Sequence, residues 1–296
     1  VTATLSPPTI ESPAPRRRGS GRLLRRFARN KWGGVAAVYL VLLVLVAIFA
    51  PLVAPMDPLA QDLNAVNQPP SAAHWLGADD VGRDILSRII YGSRVSLIAG
   101  VSSVLLSLLV ALPIGLVAGY VGGLVDTVVM RLGDALQTLP ALVLALTLSA
   151  VLGPGLRNAT IALAIVFLPT FLRLVRGQVI AIRKETYIEA SQSIGTPGLT
   201  IMRKRILPNI ASPLIVQCAV SMAFALLAEA ALSFLGLGVQ PPEPSWGRML
   251  ATSYTYVYSA GWQVFMPGIA IVVTVLAVTL FADALRDSLG REIRRA

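Results

Sequence analysis

Val35–Ala54 runs for 20 residues without a charge. At 1.5 Å per residue, a helix of that length crosses the ~30 Å hydrocarbon core of a bilayer. Val95–Ala118 repeats the pattern over 24 residues. Further apolar runs follow at Leu124–Leu152, Asn158–Leu172, Leu207–Ala228 and Val264–Ala282. Only 14% of the 296 residues are charged, against about 25% in an ordinary soluble domain. A lone segment in lipid must satisfy its own backbone hydrogen bonds, which a helix does. The chain therefore reads as an all-α membrane protein with six transmembrane helices. A secretory signal would have a shorter apolar core of ~7–15 residues, so the first run reads as a span.

Six spans put both termini on one side, and the basic residues say which. Residues 16–31 carry eight Lys and Arg, the stretch from Arg173 to Arg205 seven, and the C-terminal tail four. The opposite side holds Arg83, Arg88, Arg94, Arg157 and Arg248. Such a bias places the richer side, with both termini, in the cytoplasm. Residues 1–31 read as a disordered, basic cytoplasmic tail beside anionic lipid rather than a nucleic-acid binder. Residues 32–296 then form the membrane domain. Extracytoplasmic loops fall at 55–94 and 237–263. Trp32, Trp75, Trp246 and Trp262 all lie near expected membrane interfaces.

Local signals refine the spans. Asp79 or Asp80 is a candidate cap for a short interfacial helix towards Arg94, with Ile85, Leu86 and Ile89 facing lipid. Gly119–Gly123 reads as a tight turn. Asp126, Arg131 and Asp134 fall inside the third apolar run, where Arg131 and Asp134 can pair at i,i+3. Glu229 sits just past the fifth run. Carboxylates this deep point to an ion or proton path, or to hydrogen-bonded groups at a helix interface.

The longest polar interruption of the second half is Tyr187–Pro208. Tyr187, Ala190 and Ile194 share one helical face. Gly195 supplies a stop, Thr196 a candidate cap and Pro197 a first helical position. The result is an elbow of two helices over 183–205, flanked by Arg183, Lys184, Arg203, Lys204 and Arg205.

The sequence lacks G-x-x-x-x-G-K-[ST], G-x-S-x-G, H-E-x-x-H and C-x-x-C, and it has one His and one Cys. ATP binding by a P-loop, and most metal and nucleophile constellations, are therefore not expected of this chain. A conduit driven by another subunit fits better than an enzyme, and no metal site is expected.

Glu189-Ala190-Ser191, Gly195 and Ile206-Leu207-Pro208 resemble the "EAA" loop of ABC-importer permeases. His74-Trp75-Leu76-Gly77 with Gly82-Arg83-Asp84-Ile85-Leu86-Ser87-Arg88 is similar to the first extracytoplasmic loop of the dipeptide/oligopeptide permease C subunits. The stretch from Glu229 through Leu232-Ser233-Phe234-Leu235-Gly236 to Ser245-Trp246-Gly247 resembles their signature after helix 5. The resemblance covers about residues 30–290. It implies a type I importer permease in a bacterial or archaeal inner membrane. It also implies a second homologous permease, two P-loop ATPases that carry the ATP and Mg, and an extracytoplasmic substrate-binding protein. Di- or oligopeptides are the implied cargo, with nickel or a metal chelate as the alternative. Tyr187, Glu189, Ala190, Ser191, Ile194, Gly195, Leu207 and Pro208 would couple to the ATPase. Glu229, Asp126 and Asp134 are candidates for the path, and Asp80, Arg83, Asp84 and Trp246 for docking of the binding protein. A reading from another class makes the chain an ATP-independent channel or secondary transporter that moves ions past Asp126, Asp134 and Glu229.

Overall fold

The computed structural model describes residues 30–293, and side-chain surroundings through Leu289. The tail 1–29, with most of the basic segment, lies outside the described residues. Among those described there is no β-sheet, only an isolated bridge between Ala78 and Asp84. Five helices are long and apolar enough to span a membrane, or six if one sharply bent pair is counted as a span.

Helix α1 spans Lys31–Ile48, with Asn30 Oδ1 accepting the Gly33 N–H at 3.1 Å as its N-cap. It crosses the last helix at Gly33, where an added Cβ would lie 2.3 Å from Ala284 Cβ. A short helix α2 (Ala50–Val53) and a 3-10 turn (Leu63–Ala65) lead into the first loop.

Helix α3, Ile85–Val121, is one rod of 37 residues, uninterrupted by Pro113. It corrects the expected interfacial helix in two ways. Its N-cap is Asp84, not Asp79 or Asp80, and Ile85 is buried instead of facing lipid. The capping turn is simply the first turn of the second span. At the far end the helix runs on to Val121, and Gly122 and Gly123 make the turn with positive φ.

Helix α3 also carries a stripe of small residues. Ser96, Gly100, Ser103, Ser107, Ala111, Gly115 and Gly119 follow helical spacing and let neighbours approach closely. Added Cβ atoms at Gly115 and Gly119 would each come within 2.8 Å of a valine Cβ, on Val175 and Val179 respectively. Lipid tails are as apolar as leucine, so intimate van der Waals packing of this kind holds membrane helices together.

The third apolar run does not cross straight. Helix α4 (Gly123–Gln137) and helix α5 (Ala141–Leu152) meet at 89°. Pro140, which has no N–H to donate, stands at the break. Helix α6, Leu156–Arg183, absorbs Pro169 and continues past Arg176, as the sequence suggests. The expected Arg131–Asp134 pair is replaced by pairs to α6. Arg173 meets Asp134 at 3.1 Å, and Arg176 grips Asp126 with two donors, one at 2.7 Å.

Helix α7, Thr186–Ser193, is the first arm of the elbow. Gly195 closes it at φ 75°, its N–H donating to Gln192 O. The second arm starts one residue later than expected. Pro197, not Thr196, occupies the cap of α8 (Gly198–Ile201), which passes through a π-helical turn (Met202–Ile206) into α9, Leu207–Phe234. Elbow and fifth span are thus continuous, and α9 runs well past Ala228. Helix α10 (Trp246–Tyr254) lies in the last loop, and α11 (Trp262–Ile293) completes the bundle.

Candidate coupling site and transport path

The elbow has an inner and an outer face. Ile188 is buried in a cluster with Val175, Val179, Ile201, Ile206 and Ile210, and Ser191 is buried as well. Ala190 and Ile194 are exposed, as their shared face predicts, while Tyr187 on the same face is exposed only in part. Ile194 is 78% exposed and Leu199, across the turn, 74%. Both are apolar side chains left uncovered among the described residues. Ser191 is anchored by donating its hydroxyl to Tyr187 O, and the Tyr187 hydroxyl accepts from Asn209 Nδ2 at 3.2 Å. Burial, and secondarily the Glu185 charge, raise the Tyr187 phenol above its ordinary pKa against the pull of Arg205, so it stays neutral. Glu189 is exposed and makes no ion pair among the described residues; Arg183 instead lies over the Tyr120 ring. Leu207 packs on the cluster, and Pro208 sits exposed in the first turn of α9.

The bend between α4 and α5, together with α6 and α9, encloses a groove of about 690 Å³. Its polar lining is Gln137, Thr170, Gln217 and Ser221, set among Phe167, Phe224 and aliphatic residues, and no charged side chain among the described residues lines it. None of the three carboxylates expected on the path lines this groove. Asp126 and Asp134 face the α6 arginines. Glu229 is fully buried between α9 and α3, accepting hydrogen bonds from Ser96 Oγ at 3.1 Å and Ser233 Oγ at 2.7 Å. It staples two helices and does not border the groove. Single amides and hydroxyls inside apolar runs were the available sequence signal for Gln137, Thr170, Gln217 and Ser221.

The opposite end is a knot of charge. Asp84 Oδ2 accepts from Ser87 N at 2.8 Å and Ser87 Oγ at 2.7 Å, and Oδ1 lies 3.1 Å from His74 Nδ1. Asp79 accepts from Arg83 N at 2.9 Å and Arg83 Nε at 2.7 Å. Arg88, 4% exposed, lies 3.4 Å from the same carboxylate and donates to Pro58 O at 2.9 Å. Trp246, 2% exposed, donates its indole N–H to Ile89 O and packs over Gly92. Of the four docking candidates, Asp84 and Trp246 are therefore interior supports. Asp80 and Arg83 keep partial access to the surface. Burial and the neighbouring Asp79 raise the Asp80 carboxyl above its ordinary value, against Arg83.

The sequence from residue 111 to 295 matches the family model described as binding-protein-dependent transport system inner membrane component. The chain belongs to this family. Residues 21–70 match the N-terminal transmembrane domain of oligopeptide transport permease C. The di/tripeptide transport system permease protein DppC of Pseudomonas aeruginosa is 43% identical, over 99% of this chain and 98% of its own. The dipeptide permease DppC of Escherichia coli K12 is 46% identical, over 91% and 92%. The glutathione transport system permease GsiD of Shigella flexneri is 44% identical, over 91% and 89%. The fold is shared with a chain of the inward-facing MetNI methionine ABC transporter, at TM-score 0.55 and 20% identity, covering 69% of this chain and 97% of that one. The permease is thus a multi-pass inner-membrane subunit of an ABC importer, with the fold that its motifs implied.

Proposed function

We propose that this permease imports di- and tripeptides, or peptides of similar size. The observation that carries this reading is identity of 43–46% across nearly the whole chain to permeases named for dipeptide and di/tripeptide transport. The groove suits such a cargo. Amide and hydroxyl side chains at its wall can exchange hydrogen bonds with a peptide backbone, while its apolar surface tolerates varied side chains.

In this reading the elbow faces the cytoplasm, in keeping with the basic residues around it. Its ridge of Tyr187, Ala190, Ile194 and Leu199 docks on one of two P-loop ATPases, which bind the ATP and Mg. Leu207 and Pro208 hold the ridge at a fixed angle to α9. A second homologous permease covers the open side of the groove, and a substrate-binding protein delivers cargo to the end bearing Asp80 and Arg83. Residues 32–296 act as one permease domain. ATP closes the ATPase pair, and the elbow passes that movement into the bundle. The bias between inward- and outward-facing states then comes from contacts that differ at the elbow.

The test is purification from native membrane in mild detergent, followed by reconstitution with the binding protein that accompanies the complex. A second permease chain, P-loop ATPases and ATP-dependent uptake of a labelled dipeptide are expected. Uptake of nickel in preference to peptide would reassign the cargo. Solute flux by this chain alone without ATP would overturn the importer reading.

A further inference from the structure

Helix α3 is flush against α6 along Gly115 and Gly119, and its Leu108, Leu112 and Leu116 pack on the cluster that buries the inner face of the elbow; its last turn adds a contact of another kind. There Tyr120 projects, half-buried, from a helix whose preceding residue is Gly119. Its ring touches three successive segments. The Arg183 guanidinium at the end of α6 sits 5.7 Å from the ring centroid. Gln192 Nε2 of α7 lies 3.5 Å from its hydroxyl. At the start of α8, an added Cβ on Gly198 would come within 2.9 Å of Tyr120 Cε1. The same ring packs against the cluster that buries Ile188 and Ile201 from the two arms.

We infer that Tyr120 is a positioning residue that links the elbow to α3, so that movement of the elbow is delivered to the far end of the bundle. The inference rests on the importer reading. A ring seated between both arms and the end of α6 cannot stay in place if the arms move as a unit. Helix α3 must then follow, and its 37 residues carry the displacement about 55 Å along one unbroken axis. At the far end that axis meets Asp84, Arg88 and the Ile89–Trp246 hydrogen bond, which together tie α3 to both outer loops. The elbow's position therefore biases the loops that receive cargo.

The test uses the complete transporter, reconstituted with its ATPases and binding protein, and reads peptide taken up per ATP hydrolysed. Tyr120→Leu keeps apolar bulk but removes the flat ring. It is expected to hydrolyse ATP while uptake per ATP falls about fivefold or more, the scale of an ordinary coupling free energy. Tyr120→Phe, which keeps the ring, restores coupling. Gly198→Ala, which presses on the ring from the other side, lowers the same ratio. The effects of Gly198→Ala and Tyr120→Leu combine non-additively if they act through one contact. Wild-type uptake per ATP in Tyr120→Leu, or strict additivity, overturns the inference. If Tyr120→Leu fails to assemble, Gly198→Ala decides, and a normal ratio there overturns it equally. An absence of ATP-driven uptake in the wild-type complex would instead defeat the importer reading itself.

Discussion

The two ends of this bundle are built on opposite plans. At the loop end, Asp79, Asp84 and Arg88 are buried and answered by named partners, and Trp246 is sealed beneath the surface. At the elbow end the conspicuous residues face outward, and Ile194 and Leu199 have no cover. A buried charge that loses its partner is costly, so a network of them fixes loop geometry. An uncovered apolar ridge is normal only where another surface meets it. The comparison teaches that one end holds its shape by itself, while the other leaves apolar side chains exposed that the proposed importer reading assigns to a partner.

If this is right, substitutions at the two ends should fail in different ways. The largest effect on the isolated permease is expected from Arg88→Ala. It strips Pro58 O and part of the Asp79 carboxylate of a donor, at a cost of about 3 kcal/mol. Thermal unfolding in detergent would read this as a lowered midpoint, and an unchanged midpoint would break the picture of a self-sufficient loop end. Ile194→Asp sits at the other pole. Stability of the isolated chain should move by less than about 0.5 kcal/mol, while ATPase recovery and uptake drop sharply. A destabilised chain with normal ATPase recovery would show that the ridge belongs to the fold and not to an interface.

The smallest effect belongs to Asp80→Asn. The folded chain raises the Asp80 carboxyl above the value of 3.8 for a free side chain, so its ionised form is disfavoured on folding. That penalty grows as pH rises from about 3.8 through the raised value, and is full above it. The Asn variant should therefore unfold slightly later than wild type at neutral pH, with the gap closing as the solution is acidified towards pH 4. A gap that widens on acidification would reverse the sign of the assignment.

Much of this was legible before any coordinates. Five of the six apolar runs became helices long enough to span a membrane, because a long uncharged run leaves the backbone no other way to satisfy itself in lipid. The Gly195 stop and the outward face of Tyr187, Ala190 and Ile194 also followed from spacing. The bend at Pro140 did not, although the proline was visible, since Pro113 and Pro169 are accommodated without a break. Proline removes one donor anywhere; whether the helix turns depends on what packs beside it. The partners of Asp126 and Asp134 were also hidden. A sequence offers Arg131 at a plausible i,i+3, while Arg173 and Arg176 come within reach only when α6 lies against α4.

By itself, the sequence determined that this chain lives in a membrane, where its helices lie and which loop stands out from them. Those properties follow from local hydropathy and local backbone geometry. Only the tertiary structure decided that Asp84 caps α3, that Glu229 is hydrogen-bonded between α3 and α9, and that a charge-free groove opens at the α4–α5 bend. It also decided that Tyr120 meets the elbow. Each of these depends on which side chains are brought together from distant segments, and in lipid that is set by how closely helices can pack, starting from the bare glycines of α3.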